Sequence, residues 1–558
     1  MTCALAVGTL ALAVGAAQAA TPPADLVLVN GKVFTADGRG SVQQAIAVRG
    51  ERFVAVGSNG AVRKHIGPQS RVIDLHGRFV SPGLADAHFH NEGGGDGVDL
   101  SKVRSMSELL SAVKTVADAA PESAIIVSNA DWHEAQLSEQ RLPTAADLDQ
   151  ASADRPVVLV RGGHSYILNS AALRKWNLSK ETQAPAGGAI PRDKAGALTG
   201  ELIDAAKAFV TLPPPAPVTR ADVLATQKAL NAYGVTAVRV PGFYKGDPLK
   251  AYSLLKAADA AGELSLRYVF YLPGFGLRSA AEVGPFLERW GVKPDEGGDW
   301  LRIGGVKLGV DGGFEGGNMS SPYAEPYGNG GTFFGIQTLA PESYKAVVME
   351  LNRLGWRPTT HAVGDAGLDV VLDAYTAADH DRPIAGKRWS IEHAFIVRPD
   401  QVDRLKRLDV AVSVQDHLYL AAPVLEKYWG RERAEQVTPL KLLAEADLLL
   451  AGGTDAPVIP YNPFWELYHF LTRDTISGGV FGPRQGLASR KALLELVTIN
   501  YARMIGEQGS KGSIEPGKLA DFAVLTDDFL TAPPARIRDM KALATYVGGK
   551  EVYRSPDF

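Results

Sequence analysis

A chain of 558 residues exceeds what one ordinary hydrophobic core supports, so two or more packed units are expected, one with room for a barrel of roughly 250 residues. Hydrophobic residues at 46%, charged residues at 22%, and 59 Gly with 34 Pro scattered without a period exclude disordered and fibrous classes. A formal net charge of −4 without Lys/Arg runs leaves no footprint for nucleic acid or an anionic membrane surface; small-molecule partners are expected, and a homo-oligomer stays open.

Residues 1–20 form one apolar run ending in Ala17-Gln18-Ala19, the small-x-small pattern that precedes signal-peptidase cleavage. They are read as a signal peptide, which makes the mature protein exported, periplasmic or secreted, although no Lys or Arg opens the run. The competing reading is a membrane anchor, but the run barely reaches the roughly 20 residues of a span and lacks a positive flank. The only cysteine, Cys3, lies inside this leader. Disulfides and thiolate ligands are thereby excluded, and a bound transition metal must use His, Asp, Glu or a modified Lys, a donor set suited to a divalent ion such as zinc.

After the leader, Ala24 to Gly38, Gln44 to Gly57 and Ser70 to Gly83 read as short strands with Asn-Gly, Arg-Gly and His-Gly turns. The far end repeats this texture over Gly512 to Asp528 and Ala542 to Tyr553. The two ends, 21–78 and 505–558, are expected to pair as one small β-sandwich domain around an inserted middle. That middle, 79–504, alternates apolar strands with helical stretches, as parallel βαβ units do. Eight strands are predicted: Phe79 to His90, Gly234 to Gly242, Leu264 to Leu272, Arg302 to Gly312, Arg357 to Asp365, Arg388 to Ile396, Val410 to Asp416 and Leu448 to Pro457. The predicted fold is an α/β (β/α)8 TIM-like barrel, with helices such as Ala492 to Gly506 outside. A stretch from about 100 to about 225 is too long for a loop and reads as an inserted α+β subdomain, with strands at Ala124 to Ala130 and Pro156 to Ser165, roofing the mouth.

Five of the eight strands carry a metal-competent residue near their carboxyl ends, where barrels of this type place their chemistry. His88 and His90 end the first strand, and strand alternation sends both to one side. The fourth strand offers Lys307, the fifth His361, the sixth His393 and the eighth Asp455. A lone His is more often a satisfied core residue than a ligand; four His and an Asp at equivalent strand ends reverse that. His65, His76, His380 and His469 read as structural or surface residues. The stretch Glu92 to Gly97 lacks a phosphate-loop Lys-Ser/Thr ending and reads as a loop.

The string Ser81 to His90, SPGLADAHFH, resembles the signature of the amidohydrolase superfamily, more narrowly its amidohydrolase-3 or YtcJ-like branch. Further motifs match in order: Pro191 to Leu202, Gly305 to Gly316, His361 to Asp369, Ser390 to Phe395, Gly452 to Val458 and Gly512 to Leu525. The resemblance implies a metal-dependent hydrolase with one or two divalent ions, His88 and His90 on one, His361 and His393 on the other, and Lys307 N6-carboxylated as the bridge. The alternative for Lys307 is a buried amine paired with Asp311 or Asp455. Asp455 would complete the first shell and act as the catalytic proton carrier, cleaving a non-peptide C–N bond of a small amide or cyclic amide. By the same resemblance His164 grips the carbonyl oxygen, or else is a subdomain core residue. Trp132, Tyr323, Gln415 and His417 are candidate substrate contacts, with Asp416-His417 departing from a pattern that has proline nearby. Competing readings keep the barrel for isomerisation, dehydration or decarboxylation, or make the chain a non-catalytic binding relative.

Overall fold

A computed structural model describes residues 22–558 apart from 92–94, 96, 243–246 and 416, and apart from the side chain of Pro423. The leader over 1–20 with Cys3, most of the Glu92 to Gly97 stretch, and Asp416 lie outside the described residues.

The central sheet has eight parallel strands in chain order: β1 (Leu84–Asp86), β2 (Val235–Val240), β3 (Arg267–Pro273), β4 (Leu301–Gly309), β5 (Pro358–Ala362), β6 (Ser390–His393), β7 (Ala411–Val414) and β8 (Leu450–Gly452). In β2 every residue of VTAVRV is buried, which is what parallel strands covered on both faces require of their side chains. The sheet nearly closes into a barrel. Across its seam, Ala87 N–H donates to Gly452 O at 2.8 Å and Thr454 Oγ1 donates to Asp86 Oδ2 at 2.7 Å.

Two expected elements are divided. Phe79 to His90 is not one strand: Phe79–Pro82 pairs with Lys32–Phe34 and Phe522–Leu525, and the chain then passes through Gly83 into β1. A Cβ at Gly83 would lie 2.2 Å from Thr236 Oγ1, so only glycine permits this crossing. The helix expected over 492–506 is two, Arg490–Leu496 and Ile499–Met504, because the Val497 carbonyl turns to accept Ala85 N–H at 2.8 Å. His380 lies within the helix Asp365–Asp381.

Both chain ends contribute to two packed sheets. Lys550–Arg554, Ala542–Val547, Phe522–Leu525, Phe79–Pro82, Lys32–Phe34 and Val42–Gln43 form one in that order, and four N-terminal strands form the other. Leu28, Val33, Phe53, Val80 and Val524 share a core there, and Phe522 stacks on Tyr546 at 4.5 Å. The excursion after β1 carries its own five-stranded sheet, Gly188–Ala189, Glu201–Asp204, Ser165–Leu168, Val157–Arg161 and Ile126–Val127. Its sheet is complete by Asp204, and the helix Arg220–Asn231 already buries Leu230 in the barrel core. Among the described residues no helix is long and apolar enough to cross a membrane.

Candidate metal centre

His88 and His90 follow β1, just beyond the ladder, and Asp455 follows β8. The two chain segments are stitched by Asp455 N–H donating to His88 O at 2.7 Å and His90 N–H donating to Ala456 O at 2.9 Å. Three donor atoms converge: His88 Nε2 lies 3.2 Å from His90 Nε2 and 3.3 Å from Asp455 Oδ1, and His90 Nε2 lies 3.1 Å from that oxygen. The other ring nitrogens face acceptors, His88 Nδ1 the Glu392 carboxylate at 2.6 Å and His90 Nδ1 the Gly242 carbonyl at 2.5 Å. Each neutral ring therefore has its proton on Nδ1, and both Nε2 atoms present lone pairs to each other and to a carboxylate. Such a cluster repels itself unless a cation sits in it. A tetrahedral ion with bonds of about 2.0 Å separates its ligands by about 3.3 Å, and the observed triangle matches. Asp455 Oδ1 is buried and, among the described residues, has no hydrogen-bond partner.

His393, at the end of β6, joins this cluster: one atom each of His88, His393 and Asp455 lie within 4.8 Å of one another. Its Nδ1 donates to Gln415 Oε1 at 2.7 Å, whose amide in turn donates to Ser413 Oγ at 2.8 Å. His361 lies edge-on to His393 with ring centroids 4.6 Å apart and donates from Nε2 to Gly312 O at 3.1 Å. Lys307 opens on the same cavity and is 1% exposed. Burial pulls its amine down to about 8, and among the described residues no carboxylate pairs with it. Asp311, one partner considered for it, instead accepts backbone N–H groups of Val363, Gly364 and Asn318.

Electrostatics keep this centre ready for a cation. Burial, reinforced by Lys307, pulls His88 down to about 4. Burial followed by the His164 charge takes His361 to about 3, so both rings are neutral ligands near pH 7. Beneath the cluster, Glu392 and Arg239 form an ion pair at 2.6 Å with both side chains 0% exposed. Thr359 also donates to Glu392, and Arg239 stacks over Tyr271 at 4.4 Å.

The amidohydrolase-3 family model, described as the amidohydrolase family, matches residues 71–553. The chain belongs to the amidohydrolase family. It is 31% identical to the protein LONG AFTER FAR-RED 3 of Arabidopsis thaliana, over 96% of this chain and 93% of that one. It is 28% identical to an N-substituted formamide deformylase of Arthrobacter pascens, over 94% and 97%. A solved structure, an uncharacterized metal-dependent hydrolase from Pyrococcus furiosus, superposes with a TM-score of 0.63 at 27% identity, covering 91% of this chain and all of that one.

In this amidohydrolase a cavity of about 540 Å³ opens over the cluster. Trp132, Phe275, Phe314, Phe395, Val458 and Ile459 give it apolar walls, and His164 and His417 reach it. His164 Nδ1 lies 2.6 Å from Asp204 Oδ1 and its ring faces His361 at 5.4 Å. Burial opposes its charge, but the Asp204 carboxylate holds it above the usual imidazole value. Two of the expected substrate contacts are engaged elsewhere in this structure. Gln415 is 0% exposed and spent on orienting His393, and Tyr323 donates its hydroxyl to Gly317 O at 2.9 Å; neither is among the cavity-lining residues. His417 donates from Nε2 to Asp455 Oδ2 at 3.0 Å.

Sequence reading missed the polar lock between roof and barrel. Arg161 of the inserted sheet forks onto Glu134 at 2.6 and 2.7 Å and reaches Glu315, on the glycine-rich loop after β4, at 2.9 Å. It also missed Glu392, Arg239 and Asp204. Of these only Glu392 had a local signal, its place beside His393 in the SIEH motif.

Proposed function

We propose that this amidohydrolase cleaves the carbon–nitrogen bond of a small non-peptide amide or cyclic amide. The reading is carried by the triangle of His88 Nε2, His90 Nε2 and Asp455 Oδ1, whose 3.1–3.3 Å edges suit one zinc-sized ion. His361, His393 and Lys307 would hold a second; an amine near 8 that is buried with no ion-pair partner among the described residues is nucleophilic enough to take up CO2, and the carbamate would supply anionic oxygens where the ammonium offers none. Bound there, the ions supply a Lewis acid for the carbonyl and acidify the attacking water. Asp455 takes one proton from that water and returns it to the leaving nitrogen, so acid and amine depart with the atoms of water shared between them. His164, oriented by Asp204, donates to the carbonyl oxygen as it gains charge. The aromatic walls and the similarity to a formamide deformylase make N-substituted formamides the first compounds to try.

The test is metal analysis of purified protein followed by formate and amine release from formamides, lactams, cyclic imides and N-acyl amino acids. Asp455→Asn should retain at least one ion and lose nearly all turnover. Full activity in that variant refutes the proton role. We further propose that the 1–20 segment directs export to the periplasm, which N-terminal sequencing of the mature protein decides.

A further inference from the structure

Two cations in the cavity wall have no task in the reaction above. Lys207 lies on the roof side, in the helical turn Ala205–Phe209 that follows the roof sheet. It is half-buried, and its ammonium donates to the Gly163 carbonyl beside His164 and stands 5.5 Å from the Tyr166 ring. Arg278 lies on the barrel side, exposed, between β3 and the helix Ala280–Trp290. Both residues line the cavity, as do Gly163 and Phe275, the latter 45% exposed. Among the described residues neither cation forms an ion pair. The acids of the same wall are engaged elsewhere: Asp204 with His164 at 2.6 Å, Glu315 with Arg161 at 2.9 Å, and Asp311 with the backbone N–H groups of Val363 and Gly364.

The Arg278 guanidinium is held by one corner. Nη1 donates to Phe275 O at 2.6 Å and to Leu277 O at 3.0 Å, while Nε and Nη2 have no partner among the described residues. That edge presents two parallel N–H groups, the fork that matches both oxygens of a carboxylate. Phe275, whose carbonyl holds the guanidinium, puts its ring centroid 6.0 Å from Lys307 Nζ. An aromatic side chain thus lies between the reacting centre and the fork.

We propose that Arg278, with Lys207 on the roof side, binds a carboxylate at the far end of the substrate, so the enzyme selects acylated amines with an apolar body and a terminal carboxylate. The proposal rests on the hydrolase reading above and names the substrate class of that same cavity. Cations set in a concave wall raise the local concentration of anions. A carboxylate that reaches them makes charge-assisted hydrogen bonds, which a neutral group of the same shape does not. The apolar walls, Phe275 among them, suit the middle of such a molecule.

Two matched probes differ only in that charge: the N-formyl derivatives of 4-(aminomethyl)benzoate and of its primary carboxamide. Formate release by the holoenzyme at neutral pH and low salt gives one ratio of kcat/KM. Calorimetric binding of the corresponding N-methanesulfonyl compounds, which have no scissile carbonyl, gives a second that needs no turnover. The wild type should prefer the carboxylate about tenfold in both, as a charged hydrogen bond partly open to water allows. The preference should fall below about threefold in Arg278→Gln and to about one when Lys207→Met is added. Arg278→Glu, at an exposed position, should reverse it and favour the carboxamide. Equal ratios in wild type and variants overturn the proposal, because the carboxylate then goes to the ions or elsewhere. A wild type that binds neither sulfonyl compound, or binds both equally, overturns it as well. A binding preference that is lost with Arg278, without formate release from either probe, would leave the anion site standing and remove the hydrolase reading; formate release with no preference would do the reverse.

Discussion

Replacing Glu392 by Gln separates two jobs of one carboxylate. In the wild type Oε2 accepts the Nδ1–H of His88 at 2.6 Å, which leaves the Nε2 lone pair for an ion, while Oε1 pairs with Arg239 at 2.6 Å. Glutamine keeps the volume but has one acceptor oxygen and a donating NH2, so it cannot accept from both partners. Breaking a buried ion pair costs about 3–5 kcal/mol. The lower end applies, because Arg239 keeps the Ala87 carbonyl at 3.0 Å, the Ser390 hydroxyl at 2.8 Å and the face of Tyr271. Losing the carboxylate that orients a metal-binding His weakens the ion about 10–100-fold, or about 1.4–2.7 kcal/mol. Urea unfolding of metal-free protein measures the first effect, and competition with a chromophoric chelator measures the second. Adding Arg239→Met removes the stranded cation, so the double variant should regain stability without regaining metal affinity. A folded Glu392→Gln protein that binds zinc as tightly as the wild type would refute the assignment of the His88 proton to Nδ1.

Exhaustive chelation should abolish hydrolysis and lower Tm, with zinc restoring both; saturation at a hundred times Kd is worth about 2.7 kcal/mol, and unchanged activity in verified metal-free protein would exclude a metal role. Lys307→Met should lower the metal content from two ions to one while the protein stays folded, measured by elemental analysis; two ions retained would exclude a carbamate bridge. Arg161→Met strands the buried Glu134 and Glu315 and should cost about 3–5 kcal/mol at pH 7. Burial alone would raise Glu134, but Arg161 holds it down at about 2 against an ordinary 4.5. A depressed folded value means this stabilisation is fully present above pH 4.5 and is lost as pH falls toward 2. The stability gap between wild type and Arg161→Met, read by urea unfolding from pH 7 downward, should therefore narrow through that window; a gap independent of pH would show that the pair carries none of it.

β2 (VTAVRV) and β7 (AVSV) were legible as apolar β-branched runs, whereas β5 (PTTHA) and β6 (SIEH) hold no such run and were placed by their alternation with helical stretches; all eight predicted strand positions correspond to barrel strands in the same order. The His-x-His pair was legible because alternation aims both rings one way even just past the strand. His393 obeys a different rule. Glu392 faces the barrel interior, so its neighbour on a regular strand would face the outer helices. The backbone of His393 instead takes φ 76°, and that left-handed turn swings the ring back over the mouth; Asp455, at φ 56°, is placed the same way. No periodicity announces such a turn. The division at Gly83 was equally hidden, since what demands glycine there is Thr236, more than 150 residues away in sequence.

The two halves of the pocket carry different information. Strand ends of the barrel supply the candidate metal ligands, whose residue types and spacing were readable in the sequence. The roof supplies Trp132, His164 and Arg161, and it is locked to the barrel through pairs that span long stretches of chain, Arg161 with Glu315 and His164 over His361. Selectivity set by such contacts depends on how one sheet sits on another, which is why motifs that announce the chemistry say little about what is cut. His417 lies on the boundary, donating from Nε2 to Asp455 Oδ2 at the barrel mouth and lining the cavity beneath the roof. A substitution there should alter which substrate is chosen and how fast it reacts, whereas a substitution in the roof lock should reach the choice of substrate only through the position of the sheet.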